Sequence, residues 1–148
     1  MKPAMEPISG QPSRQGVIAL LSRAQLPTSD ITDELLESFY FAGERTDPLG
    51  IVGLELSRPH ALLRSLVVKA EARSGGLGSR LLEHAEEQAR ARGVHLIYLL
   101  TTTAESFFAA RGYAGANRSD APPFIRSSAE FASLCPASAA FMVKHLQE

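Results

Sequence analysis

A chain of 148 residues with 15 Lys and Arg against 16 Asp and Glu carries a net charge of -1, so no overall field draws it to nucleic acid or to an anionic membrane. Its single cysteine excludes an intrachain disulfide and suits a reducing, cytoplasmic setting. No apolar run is long enough to cross a bilayer, Met1 to Pro12 lacks the core of a signal peptide, and the length suits one domain that buries roughly two thirds of its unfolded surface.

Residues 1–12 are expected as a flexible tail or, if Pro7-Ile8-Ser9 pairs, as a first strand; residues 13–148 are expected as a single domain. Ser13 caps a helix that carries Val17, Leu20, Leu21 and Ala24 on one face and ends at Pro27. After the loop Thr28-Ser29-Asp30, Thr32 caps a second helix with Leu35, Leu36 and Phe39 inward. Asp30, Asp33 and Glu34 complement the dipole of that helix, or attract a cationic amine. Phe39 to Ala42 reads as a strand entering a turn from Gly43 to Pro48, with Gly50 to Ser57 as its antiparallel partner.

Past the turn Arg58-Pro59-His60 comes a strand from Ala61 to Val68. Strict alternation there places Leu62, Arg64, Leu66 and Val68 on one face and Leu63, Ser65 and Val67 on the other. Arg64 is out of place in such a run. It is either an edge or solvent-facing residue paired with Glu55, or a fork for an anion inside a cleft.

Next comes the glycine-rich turn Arg73-Ser74-Gly75-Gly76-Leu77-Gly78, followed by an amphipathic helix. Leu77, Leu81, Leu82, Ala85 and Ala89 form its apolar stripe, while Arg80, Glu83, Glu86, Glu87 and Arg90 face water. Arg90 and Arg92 complement its last turn, and Gly93 takes the left-handed stop. Glycines at a helix start cost up to about 1 kcal/mol each relative to Ala where they are helical. What they permit is close approach of an anion to unpaired backbone N–H groups, unless the turn is tight for structural reasons alone. The P-loop pattern fails for want of a Lys, and the dinucleotide fingerprint fails because Leu81 stands at its third glycine.

Leu96 to Leu100 is a short apolar strand, and Thr102-Thr103-Ala104-Glu105 is a capping-box pattern opening a helix through Phe107, Phe108 and Arg111. Gly112 ends that helix before Tyr113. Ala114 to Asn117 reads as a short strand, Phe124 to Leu134 as a helix between Pro123 and Pro136, and Ser138 to Lys144 as a last strand. His60, His84, His95 and His145 lie on separate elements without ligand spacing, so no metal is expected.

Arg73, Gly76 and Gly78, after a strand ending in Val67-Val68 and before Leu81-Leu82, form Arg/Gln-x-x-Gly-x-Gly/Ala, which resembles motif A of the GNAT family of N-acetyltransferases. Thr101, Ala104, Phe108 and Gly112-Tyr113 resemble the family's next element, with Thr101 where Asn is common and Phe108 where Tyr is common. The strings Ala61 to Val68, Tyr98 to Ala104 and Ala129 to Ser138 are similar to the subfamily called arsenic-resistance N-acetyltransferase.

The resemblance implies an α/β fold: a mixed, mostly antiparallel sheet with a central pair of parallel, splayed strands, flanked by helices. It implies acetyl-CoA as co-substrate and a small-molecule primary amine as acceptor, possible forms being an amino-acid-like organoarsenical, another small amine or a peptide N-terminus. The implied acetyl-CoA contacts are Leu66, Val67 and Val68, the turn residues Arg73, Ser74, Gly75, Gly76, Leu77, Gly78 and Ser79, and Thr101, Phe107, Phe108 and Arg111. The Val68 backbone amide would polarise the thioester, with Glu55 as base, directly or through water, and Tyr113 as substitute acid for the missing Tyr at Phe108.

On the acceptor side the candidates are Phe39, Arg64 and Arg126, with Ser127, Ser128 and Glu130 behind them. Cys135 is expected as a buried small hydrophobe rather than an arsenic ligand. A monomer and a homodimer both stay open. The contrasting possibility is a fold that binds acyl-CoA without turnover as a sensor, which Phe108 and Thr101 support.

Overall fold

The computed structural model describes residues 7–129, 131–132 and 138–146, except the side chain of Ser74. Seven strands form one sheet in the order β1-β2-β3-β4-β5-β7-β6. They are β1 (Ile8–Gly10), β2 (Phe39–Glu44), β3 (Asp47–Ser57), β4 (His60–Val68), β5 (Leu96–Thr101), β6 (Ala114–Gly115) and β7 (Ala140–His145). The helices are α1 (Arg14–Arg23), α2 (Asp33–Leu36), α3 (Leu77–Ala91), α4 (Glu105–Ala109) and α5 (Pro123–Arg126). Among the described residues no helix is long and apolar enough to cross a membrane. Every strand contact is antiparallel except β4 with β5. The expected mixed sheet with one parallel pair is therefore present.

The caps form where the sequence places them. Ser13 accepts the Gly16 N–H at 3.0 Å and Thr32 accepts that of Leu35 at 3.2 Å, each satisfying one orphan donor. Helix α3 packs its Leu77, Leu81, Leu82, Ala85 and Ala89 stripe on one face of the sheet, against Val52, Leu54, Ala61, Leu63, Ile97 and Leu99. Helices α1 and α2 cover the opposite face through Val17, Leu20, Leu21 and Leu36 against Phe39, Phe41, Ile51 and Val67. Farther along that face, Ile125 of α5 meets Leu62 and Phe141.

Several expectations are corrected. Ile8–Gly10 pairs with β2, so this part of the expected tail is a strand. Phe39 opens β2 rather than facing inward from α2, and its ring fills the space a Gly53 side chain would need. The strand turn shrinks to Arg45-Thr46, because Gly43 sits opposite Pro48 and Glu44 opposite Asp47 beyond a bulge. Glu86 is buried, not solvent-facing. The helix from Phe124 stops at Arg126, since the Ser127 and Ser128 hydroxyls donate back to the Phe124 and Ile125 carbonyls and Ser128 then accepts the Phe131 N–H. Glu130, Cys135 and the tail before residue 7 lie outside the described residues.

Candidate active site

The site begins with a break in the sheet. Strands β4 and β5 pair only through His60–Leu62 and Leu96–Tyr98. Beyond that point β4 stays with β3 while β5 follows β7, so a fork opens between them. The register of β3 and β4 shifts at the same level: Gly53 faces Arg64, yet Ile51 faces Val67. Ser65 carries the extra residue in a left-handed conformation, φ +59°. That bulge resets the alternation. Leu63, Leu66 and Val68 face α3 together, whereas Val67 joins the α1 side, a correction to the strict two-residue pattern.

A cavity of about 850 Å³ fills the fork. Of the expected contacts it is lined by Arg64, Leu66, Val68, Arg73, Gly76, Gly78, Ser79, Thr101, Phe107, Phe108 and Arg111. Ser65 and Leu99 to Ala104 add to these walls, and Leu21, Gln25, Leu26 and Pro27 close the α1 side. The family resemblance implies that the α1–α2 pair and its loop cover the acceptor site, but it singles out none of these four residues. Leu26 is 41% exposed.

At one end lies the start of α3. Gly76 is its N-cap, left-handed at φ +76°, and no side chain caps the first turn. An alanine Cβ at Gly75 would meet no described atom within 4 Å, and one at Gly78 would make ordinary contact with Phe107 at 3.7 Å. The fold itself therefore asks for glycine only at position 76. Arg73 folds back to donate from Nε to the Val68 carbonyl at 3.0 Å. Arg111 lies 3.7 Å over the Phe107 ring, and its Nε and Nη2 donate to Ser79 Oγ at 3.0 and 2.8 Å. Two guanidinium groups thus flank an uncapped helix start, a setting made for an anion. Thr101 accepts the Ala104 N–H at 3.0 Å and so shapes the start of α4, replacing the expected Thr102 capping box.

Near the other end is Arg64. It is 3% exposed, and all three of its guanidinium nitrogens donate. Nη1 donates to Asp30 Oδ2 and, at 2.8 Å, to Glu55 Oε2; Nη2 donates to Asp30 Oδ1 at 3.0 Å, and Nε to Ser65 Oγ at 3.2 Å. The expected Glu55 partner is present, but the arginine is buried rather than at an edge, and Asp30 answers it instead of the α2 dipole. An arginine in an apolar strand needs such partners once buried.

Five candidates sit elsewhere. Tyr113 is buried and donates to Glu86 Oε2 at 2.9 Å, while Lys144 Nζ donates to Glu86 Oε1 at 3.0 Å. Burial, then the Glu86 charge, push the Tyr113 hydroxyl far above its usual range, so it holds its proton outside the cleft. Arg126 donates to the Ala121 and Ser119 carbonyls and closes its own loop. Phe39 and Val67 belong to the core under α1, and Leu77 to the core under α3. Among the described residues no three of His, Cys, Asp and Glu gather to hold a metal ion.

Residues 16–115 match the model of the acetyltransferase (GNAT) family. The chain is 40% identical over 57 residues to an amino-acid acetyltransferase of Ralstonia nicotianae, across 38% of this chain and 13% of that protein. It is 43% identical over 51 residues to one from Pseudomonas syringae pv. syringae, across 34% and 12%. The chain spans about an eighth of the length of these curated relatives. Among solved structures it is similar to N-acetylglutamate synthase from Neisseria gonorrhoeae complexed with coenzyme A and N-acetyl-glutamate, with TM-score 0.82, 22% identity, and coverage of 99% of this chain and 36% of that one. It is also similar to Rv2747 from Mycobacterium tuberculosis in complex with CoA, with TM-score 0.75, 17% identity, and coverage of 95% and 99%. Likeness at these identities speaks for the fold.

Proposed function

The chain belongs to the GNAT acetyltransferase family, and from that premise we propose that it moves acetyl from acetyl-CoA to the primary amine of a small, amino-acid-type molecule. The observation that carries this is the fork cavity ending on the uncapped start of α3, where Gly75 and Gly78 leave room the fold does not use. That end fits a diphosphate: backbone amides from Gly76 to Ser79 as donors, with Arg73 and Arg111 beside them. Phe107, Phe108, Leu66 and Val68 wall the fork, which suits a pantetheine arm.

Acetyl-CoA supplies an activated acyl carbon. The chain's part is to hold that carbon against an amine, and such orientation alone is worth up to about 7–11 kcal/mol in well-aligned cases. In this reading a backbone N–H at Val68 stabilises charge on the thioester oxygen. The amine loses its proton toward Glu55 through water, since Glu55 does not line the cavity and its Oε2 is held by Arg64. The departing thiolate takes its proton from solvent, because Phe108 has no hydroxyl and Tyr113 faces Glu86. Relatives that are amino-acid acetyltransferases support an amino-acid-type acceptor. The organoarsenical implied by the subfamily resemblance belongs to the same panel.

Thiol release from acetyl-CoA across a panel of amines tests the proposal. Turnover with at least one primary amine is expected, with kcat lowered on the order of 10²-fold in Glu55→Gln. Saturable acetyl-CoA binding without turnover on any amine would instead mark a sensor.

A further inference from the structure

The charge arrangement around Arg64 constrains which amine the cleft takes, a point that rests on the acetyl-transfer proposal. Its Nε, Nη1 and Nη2 are all donating, with Nη1 and Nη2 forked onto Asp30 and Nη1 shared with Glu55. The Arg64 side chain is 1% exposed, against 17% for Asp30 and 24% for Glu55. The cavity meets this cluster through Arg64, since neither Asp30 nor Glu55 lines it, so the guanidinium reached from the cavity is one already held by two carboxylates. The other two cations lining the cavity, Arg73 and Arg111, stand at the α3 end, tied to the Val68 carbonyl and to Ser79. Among the described residues no further cation lines the cavity beside Arg64; Arg14 stands outside it, its Nε donating at 3.1 Å to the carbonyl of Ile31, next to Asp30.

A free carboxylate beside the acceptor's amine would thus find the fork already taken, whereas an amine without that neighbour makes no call on it. We propose that Asp30 is a specificity-determining residue that turns the site toward amino-acid-type amines whose carboxyl is masked, as in an amino-acid amide, an ester or the first residue of a peptide. Asp30 acts by occupying the Arg64 fork that a free amino acid would use. It sits on the loop between α1 and α2 that follows Pro27 of the cavity wall, so its carboxylate reaches Arg64 from a separate element rather than from the β3–β4 hairpin.

The experiment compares matched pairs, a free amino acid against its amide, in wild type and Asp30→Asn. It reads both thiol release and calorimetric affinity for the acceptor on the protein saturated with acetyl-CoA. Wild type is expected to favour the amide by at least about tenfold in kcat/KM or in affinity, and Asp30→Asn to shrink or invert that ratio. The wild-type ratio is decisive even if the variant fails to fold. A free amino acid favoured over its amide by wild type, equal preference, or no acceptor bound at all overturns the assignment. Preferred amide binding without thiol release would sustain charge selection while removing the acetyl-transfer reading.

Discussion

At the scale of single residues, the buried ion cluster bears on stability and on the proposed selectivity. Replacing Arg64 by Gln leaves Asp30 and Glu55 facing each other without their cation. A fully buried broken pair costs about 3–5 kcal/mol, but these carboxylates keep partial access to water, so about 2 kcal/mol is expected in urea unfolding. A change below a few tenths would show that the cluster is solvated and holds nothing. Glu55 as partner was legible because it lies on the neighbouring strand. Asp30 was not: its distance of 34 residues from Arg64 leaves no local trace, and an acid before a helix already has a sufficient local explanation. Ser65 was equally silent, since no residue type announces a bulge, yet its left-handed backbone turns Leu66 and Val68 toward the α3 side.

At the scale of elements, α3 joins the fold to the site. Its apolar stripe was plain in the sequence, as were its glycine turn and its Gly93 stop, because periodicity and caps are local signals. Glu86 broke the pattern because its partners, Tyr113 and Lys144, come from distant elements. The helix start separates structure from function. Gly78→Ala is expected to leave stability unchanged or raise it by up to about 1 kcal/mol, since its Cβ meets only ordinary contacts. The same change is expected to weaken acetyl-CoA at least about tenfold by crowding the amides.

Farther along α3, His84 packs edge-on against Tyr40 at 4.9 Å, and burial holds its imidazole below the ordinary value of 6.5. The unfolded chain then binds that proton more readily than the folded one, so stability is lost as pH falls through about 6.5 and levels off below the folded value. Thermal midpoints at about pH 7.5 and about pH 5.5 are expected to lie closer together in His84→Gln than in wild type.

At the scale of the whole molecule, the mostly antiparallel sheet, its parallel pair and the buried stripe of α3 followed from elements read one at a time and from a family resemblance carried by the Arg73 to Gly78 turn. The region after Tyr113 followed least well. There Ser127 and Ser128 hydrogen-bond their own backbone and divide what looked like one helix. The contact between Asp30 and Arg64 was equally hidden, since the α1–α2 loop and β4 meet only in three dimensions. All of it serves one arrangement, a forked sheet whose open strands end beside the bare amides of α3. The most direct measurement is a calorimetric titration of the folded protein with acetyl-CoA. Saturable binding at one site per chain, weakened by Gly78→Ala, is the predicted result. No saturable heat from well-folded protein, or an affinity indifferent to that substitution, would contradict it.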